Sequence, residues 1–130
     1  MRSNKEYQLS KAVSTYLKLQ YPNVLFHFDL AGLNLSRAQA GMTKAIQHSK
    51  GFPDLFIAKS CKGRHGLFIE LKVVSPYLKD GKTLKKNEHL ERQDRNHLQL
   101  SVEGYCAVFG TGFDECKKII DNYLQPKTTH

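Results

Sequence analysis

The stretch GFPDLFIAKSCKGRHGLFIELK, residues 51–72, decides the fold. It contains the apolar run DLFIAK (54–59) and the start of LFIELKVV (67–74), separated by the polar, glycine-containing turn SCKGRHG. Two such runs around such a turn predict a β-hairpin. Side chains alternate across a strand, so Phe68, Glu70, Lys72 and Val74 share one face, and Leu67, Ile69, Leu71 and Val73 the other. Folding the hairpin about Lys62 sets residue 54 opposite residue 70, and a slip of one residue would undo the pairing. Two carboxylates then face each other about 5 Å apart, where like charges destabilise. Lys72 on the same face offsets part of that cost. A divalent cation between the acids would offset more, and hard oxygen ligands suit Mg²⁺ or Mn²⁺. The alternative is a water-facing hairpin edge, with Glu70–Lys72 a solvated pair of little value and Pro53-Asp54 a turn start.

Working outward, Leu9, Val13, Tyr16 and Leu17 recur at helical spacing, which predicts a helix from about Asn4 to Gln20. Ser3 and Glu6 make a capping-box start, and Tyr21-Pro22-Asn23 ends the helix. VLFHFDL (24–30) reads as a strand broken by Gly32. A weaker helix from Ser36 to about His48 has Ala38, Met42, Ala45 and Ile46 on its apolar side. After the hairpin comes a basic loop, SPYLKDGKTLKK (75–86), then a helix from about Asn87 to Val102 ended by Gly104. YCAVFG (105–110) is the last strand, and Thr111 caps a final helix striped by Phe113, Cys116, Ile119, Ile120, Tyr123 and Leu124. The order α-β-α-β-β-α-β-α predicts an α/β domain over residues 1–125, a mixed sheet flanked by helices, with a loose tail at 126–130.

The chain has 130 residues and a formal net charge of +8, which fits a single domain and favours a polyanionic partner. The three cysteines, Cys61, Cys106 and Cys116, form no CxxC pair and read as reduced thiols. The polar MRSNKEYQLSK start reads as no signal peptide, and no apolar stretch is long enough for a membrane span, so an intracellular, cytoplasmic protein is expected. Cys61 and His65 lack a second pair for zinc, and KGRHG lacks the phosphate-loop pattern. Lys62, Arg64, Lys79, Lys82, Lys85, Lys86 and Arg92, with Arg37 and Lys44 on the second helix, could together track a phosphate backbone; singly each reads as a solvated surface charge.

Pro53-Asp54, followed after fifteen residues by Glu70-Leu71-Lys72, resembles the PD-(D/E)XK nuclease signature. With GFPDL, IELK, a downstream helix carrying Gln93, and Gly104 before a strand, the chain is similar to the VRR-NUC (virus-type replication-repair nuclease) family from about Glu6 to Gly110. That resemblance implies a restriction-endonuclease-like core and a metal-dependent nuclease. Asp54 and Glu70 would hold the metal, the Leu71 carbonyl would add a ligand, and Lys72 would orient the attacking water and steady charge at phosphorus. Gln93 would support the site, and Glu6 would complete it or hold it. Gln93 also shares a helical side with Leu90 and His97, where a buried amide needs a partner. The basic insert 75–86 departs from the shorter turn of compact family members. The resemblance further implies a structure-selective DNA endonuclease in repair or recombination, a homodimer like the Holliday-junction resolving enzymes, and a cellular, viral or phage origin. The rival is a catalytically silent DNA-binding module or nuclease subunit that retains the fold.

Overall fold

The computed structural model describes residues 4–29 and 36–126. The elements are α1 (Asn4–Gln20), β1 (Phe26–Phe28), α2 (Arg37–Ile46), β2 (Leu55–Ile57), β3 (Leu67–Lys72), α3 (Glu88–Val102), β4 (Cys106–Thr111) and α4 (Gly112–Leu124). This is the expected order. Ser3, Leu30, Gly32 and the tail beyond residue 126 lie outside the described residues. The four strands form one mixed sheet in the order β1-β2-β3-β4. β1–β2 and β2–β3 are antiparallel, and β3–β4 is parallel, with α3 as the crossover that a parallel pair requires.

The hairpin register pairs Leu55 with Ile69, Phe56 with Phe68 and Ile57 with Leu67. Continued by one residue, this sets Asp54 against Glu70, the register expected from a turn at Lys62. Lys62 takes positive φ, 51°, and Gly63 follows at 79°. The Cys61–Arg64 bridge closes this turn.

The two faces of the sheet differ. On one, Leu55, Ile57, Leu67, Ile69 and Leu71 pack with Val13 and Leu17 of α1 and with Cys116, Ile120 and Tyr123 of α4 into the main core. The Tyr16 and Tyr21 hydroxyls each donate to Asp121 Oδ1 at 2.6 Å, tying α1 to α4. On the other face lies an aromatic layer. Phe56 stacks on Phe68 with centroids 4.5 Å apart, and His97 of α3 meets Phe109 of β4 at 4.5 Å. Glu70 and Lys72 belong to this second face.

Several boundaries differ from expectation. β1 spans Phe26–Phe28 only; Phe26 and Phe28 pack against the core, while Leu25 before them is 75% exposed. β3 stops at Lys72, and Val73 and Val74 lie exposed in the following bend. Ser36 caps α2 in a full capping box with Gln39, yet no α2 residue is buried; its apolar side, including Met42 and Ile46, faces out. Thr111 occupies the N-cap of α4 but makes no side-chain cap; Glu115 Oε1 instead reaches back to accept from the Thr111 backbone N–H at 3.0 Å. Among the described residues, no helix is long and apolar enough to cross a membrane.

Candidate active site

Asp54 ends the turn that enters β2, and Pro53 before it is buried, fixing the approach of the chain. The Asp54 carbonyl accepts the Asp29 N–H at 2.7 Å, joining it to the end of β1. Its carboxylate Oδ2 accepts the Leu71 backbone N–H at 2.9 Å. Asp54 is thus clamped to β3 between Glu70 and Lys72. Glu70 is only 5% exposed, although it carries a carboxylate in a central strand. Its paired position on β4 is Phe109, and the Lys72 Nζ sits over that same ring, 5.8 Å from the centroid. An ammonium at this distance gains from the ring quadrupole.

A cleft of about 550 Å³ opens at this end of the sheet, between α1 and α3. Asp54, Glu70, Leu71, Lys72, Gln93 and Glu6 all line it. Glu6 enters from the first turn of α1. It is exposed and lines the cleft at its rim. Gln93 enters from α3 and is buried. One end of its amide meets His89 Nε2 at 3.1 Å, while Oε1 is buried with no partner among the described residues. Whichever way the amide is turned, one polar atom stays unsatisfied, a costly state unless a ligand or water supplies the partner.

Gly51 explains how α3 reaches the PD segment. Its φ is +84°, and a Cβ there would lie 3.0 Å from Asn96 Nδ2 and 3.2 Å from Arg92 Cγ. The Asn96 side chain also donates to the Lys50 carbonyl at 2.9 Å. The chain before Asp54 is therefore pressed onto the helix that presents Gln93 and His89.

His89 is a site residue that the sequence did not single out. Burial, then the positive charges of Lys72 and Arg92, push its pKa below the ordinary histidine range, against the pull of Asp54 and Glu6. These four groups come from four parts of the chain and act on one imidazole. A neutral ring can accept the Gln93 amide N–H through Nε2. Its helical spacing, four residues before Gln93, was the available signal.

The basic residues divide into two groups. Lys79, Lys82 and Lys86 are exposed on the 75–86 loop, with Lys85 partly covered. The loop is ordered: Tyr77 bridges Leu84, and Asp80 accepts from the Lys82 and Thr83 backbone N–H groups. Arg92 lies on α3 beside His89 and pairs with Glu88 at 3.5 Å. Arg37 and Lys44 are exposed on α2. Lys62 and Arg64, by contrast, sit at the opposite end of the hairpin from the acids. Lys62 donates to the Asn122 carbonyl, and Arg64 Nη1 lies 3.3 Å from the Ser101 carbonyl and 3.4 Å from that of Tyr105. The structure does not bring these two to the cleft.

Asp54, just before β2, and Glu70 and the Leu71 carbonyl, on β3, are oxygen donors of the kind a hard divalent ion takes, and they are the groups that would hold one. Among the described residues, no three His, Cys, Asp or Glu side chains converge into a metal cluster. The rest of a coordination shell would come from water and phosphate, as Mg²⁺ commonly prefers.

The architecture has a solved counterpart. The chain superimposes on a structure described as a VRR_NUC domain protein with a TM-score of 0.67, covering 96% of this chain and 92% of the other at 23% identity. The fold is that of a VRR_NUC domain protein. No protein-family model matches the sequence, and no curated protein matches it. Within this VRR-NUC fold the cleft lies where the hairpin, α1 and α3 meet.

Proposed function

We propose that this chain is a divalent-metal-dependent DNA endonuclease that hydrolyses phosphodiester bonds in branched DNA. One observation carries the reading: a single cleft gathers Asp54, Glu70, Leu71 and Lys72 from the hairpin, Glu6 from α1 and Gln93 from α3. Asp54 and Glu70, with the Leu71 carbonyl, would hold Mg²⁺ or Mn²⁺. Bound there, the ion supplies a water of lowered pKa and a Lewis acid for the phosphate. Lys72 supplies a compact positive charge on the same strand face, suited to orienting the attacking water and offsetting charge at phosphorus. Gln93, held at one end by His89, offers its other end to that water or to a phosphate oxygen. Glu6 would complete the site through water at the rim.

Lys79, Lys82, Lys85 and Lys86, with Arg92, Arg37 and Lys44, would guide the phosphate backbone toward the cleft. In this proposal the enzyme selects four-way junctions or flaps and acts as a homodimer. Two cuts on strands related by two-fold symmetry call for two equivalent sites. The outward-facing Leu25, Met42 and Ile46, between 68% and 85% exposed, offer an apolar surface for a second copy.

The test is cleavage of linear, flap and four-way DNA with Mg²⁺ or Mn²⁺, alongside light scattering for assembly. Binding of DNA without cleavage in either metal would instead favour a catalytically silent module.

A further inference from the structure

Phe52 lies two residues before Asp54 and is 49% exposed, although Pro53 beside it is buried. An apolar ring left half in water at the edge of a polar cleft needs a reason. The ring is held in place. It meets Phe68 edge-on at 5.3 Å and 85°, and Phe68 in turn stacks on Phe56 and meets Tyr105 at 5.3 Å. Phe52 is the outer end of an aromatic row whose inner members lie on the sheet. The contact with Phe68 restricts its orientation before any ligand arrives, so less conformational entropy remains to be lost on binding.

The cleft continues past Phe52. A side pocket of about 380 Å³ is lined by Phe52, Asp29, Gln47, His48 and Ser49. Four of these, all but His48, also line the main cleft, so the two spaces are continuous. Their chemistry differs. The main cleft carries Lys72 and Lys50, whereas the side pocket's described lining has no lysine or arginine and includes the Asp29 carboxylate. A phosphate would be disfavoured there. A flat, uncharged heteroaromatic ring would not, since Gln47, His48 and Ser49 can donate to or accept from its edge.

We propose that Phe52 is a stacking platform for an unpaired nucleobase next to the scissile phosphate. This deepens the nuclease reading and rests on it for the position of that phosphate. Bases inside a duplex are already stacked on their neighbours, so the platform favours nucleotides at a branch point, a flap or a frayed end. Aromatic–base stacking tolerates any base, which makes the preference structural rather than sequence-specific.

The test uses metal-free protein in EDTA, so that no cleavage is needed. A flap oligonucleotide carries 2-aminopurine at the unpaired position beside the branch, and a matched duplex carries it in a base pair. With wild type and with Phe52→Tyr, binding should change the emission of the flap probe. Phe52→Leu keeps an apolar side chain without a π face, and Phe52→Ala removes it. Both should lose the emission change and bind the flap about tenfold or more weakly, with duplex affinity unchanged. Phe52→Leu retaining the emission change, or weakening flap and duplex binding equally, would overturn the proposal. Because stacking is read without metal, a protein that stacks the base but never cuts would sink the nuclease reading alone.

Discussion

Asp54 Oδ2 accepts the backbone N–H of Leu71 at 2.9 Å. This one bond ties the carboxylate preceding β2 to the strand that carries Glu70 and Lys72, and it makes Asp54 a structural residue as well as a candidate ligand. Asp54→Ala should leave the Leu71 N–H without its acceptor and cost about 1–3 kcal/mol of stability, while Asp54→Asn keeps an oxygen in place and should cost less. Urea unfolding of the two variants measures the difference. Equal stability of the Ala variant and wild type would show that the bond contributes no more than the repulsion between Asp54 and Glu70 costs.

The Gln93–His89 contact makes a separate prediction. His89 accepts from the amide only while neutral, and its environment lowers its pKa, so the contact is intact at neutral pH and lost as pH falls through that lowered value. His89→Ala should reduce cleavage by about tenfold or less, and Gln93→Leu by more, since it removes the whole amide, including the buried Oε1 that has no partner among the described residues. His89→Gln restores an acceptor that does not titrate, and should flatten the acid limb of the pH–rate profile. An acid limb identical in all the variants would assign it to other groups.

His97 governs stability rather than chemistry. It is 5% exposed, packs against Phe109, and has no partner for Nε2 among the described residues. Burial pulls its pKa down to about 4, against the attraction of Asp94. The unfolded chain therefore binds this proton first. The fold keeps its full stability above the ordinary histidine value of about 6.5 and loses on the order of 3 kcal/mol as pH falls to about 4. His97→Leu should remove that part of the acid sensitivity. Thermal melts across this window, compared with wild type, check it.

The 75–86 loop can be tested by salt. Replacing Lys82, Lys85 and Lys86 by Ala should weaken DNA binding and lower the slope of log K against log salt by roughly one unit per lost phosphate contact. An unchanged slope would place the loop away from DNA. Lys62→Ala and Arg64→Ala make useful controls: their side chains are occupied with backbone carbonyls at the far end of the hairpin. They should change stability more than salt dependence.

Much of the site was legible in sequence because it lies on one hairpin. Strand alternation puts Glu70 and Lys72 on one face, and a turn centred on Lys62 leaves a single register that matches 54 with 70. Gln93 was readable as an amide on a buried helical stripe. His89 was not, because its importance comes from Lys72, Asp54 and Glu6, which sit in three other parts of the chain. Lys62 and Arg64 were grouped with the other basic residues as a phosphate track, but a hairpin carries its turn away from its open end. The apolar side of α2 could not be distinguished from a packed face, since periodicity records which side is greasy and not what covers it. The short β1 has a related origin: VLFHFDL has strand character, but among its described residues only Phe26, His27 and Phe28 pair in register with β2.

The central claim is that Asp54, Glu70 and Lys72 form a metal-dependent hydrolytic site. The most direct measurement is cleavage of flap and four-way DNA by purified protein with Mg²⁺ or Mn²⁺, by the same protein in EDTA, and by Asp54→Asn, Glu70→Gln and Lys72→Ala variants confirmed to be folded. Wild type should cleave only with the metal, and each variant should lose at least about a hundredfold, with DNA binding largely retained. Metal-independent cleavage, or wild-type rates in a folded Glu70→Gln or Asp54→Asn variant, would contradict it.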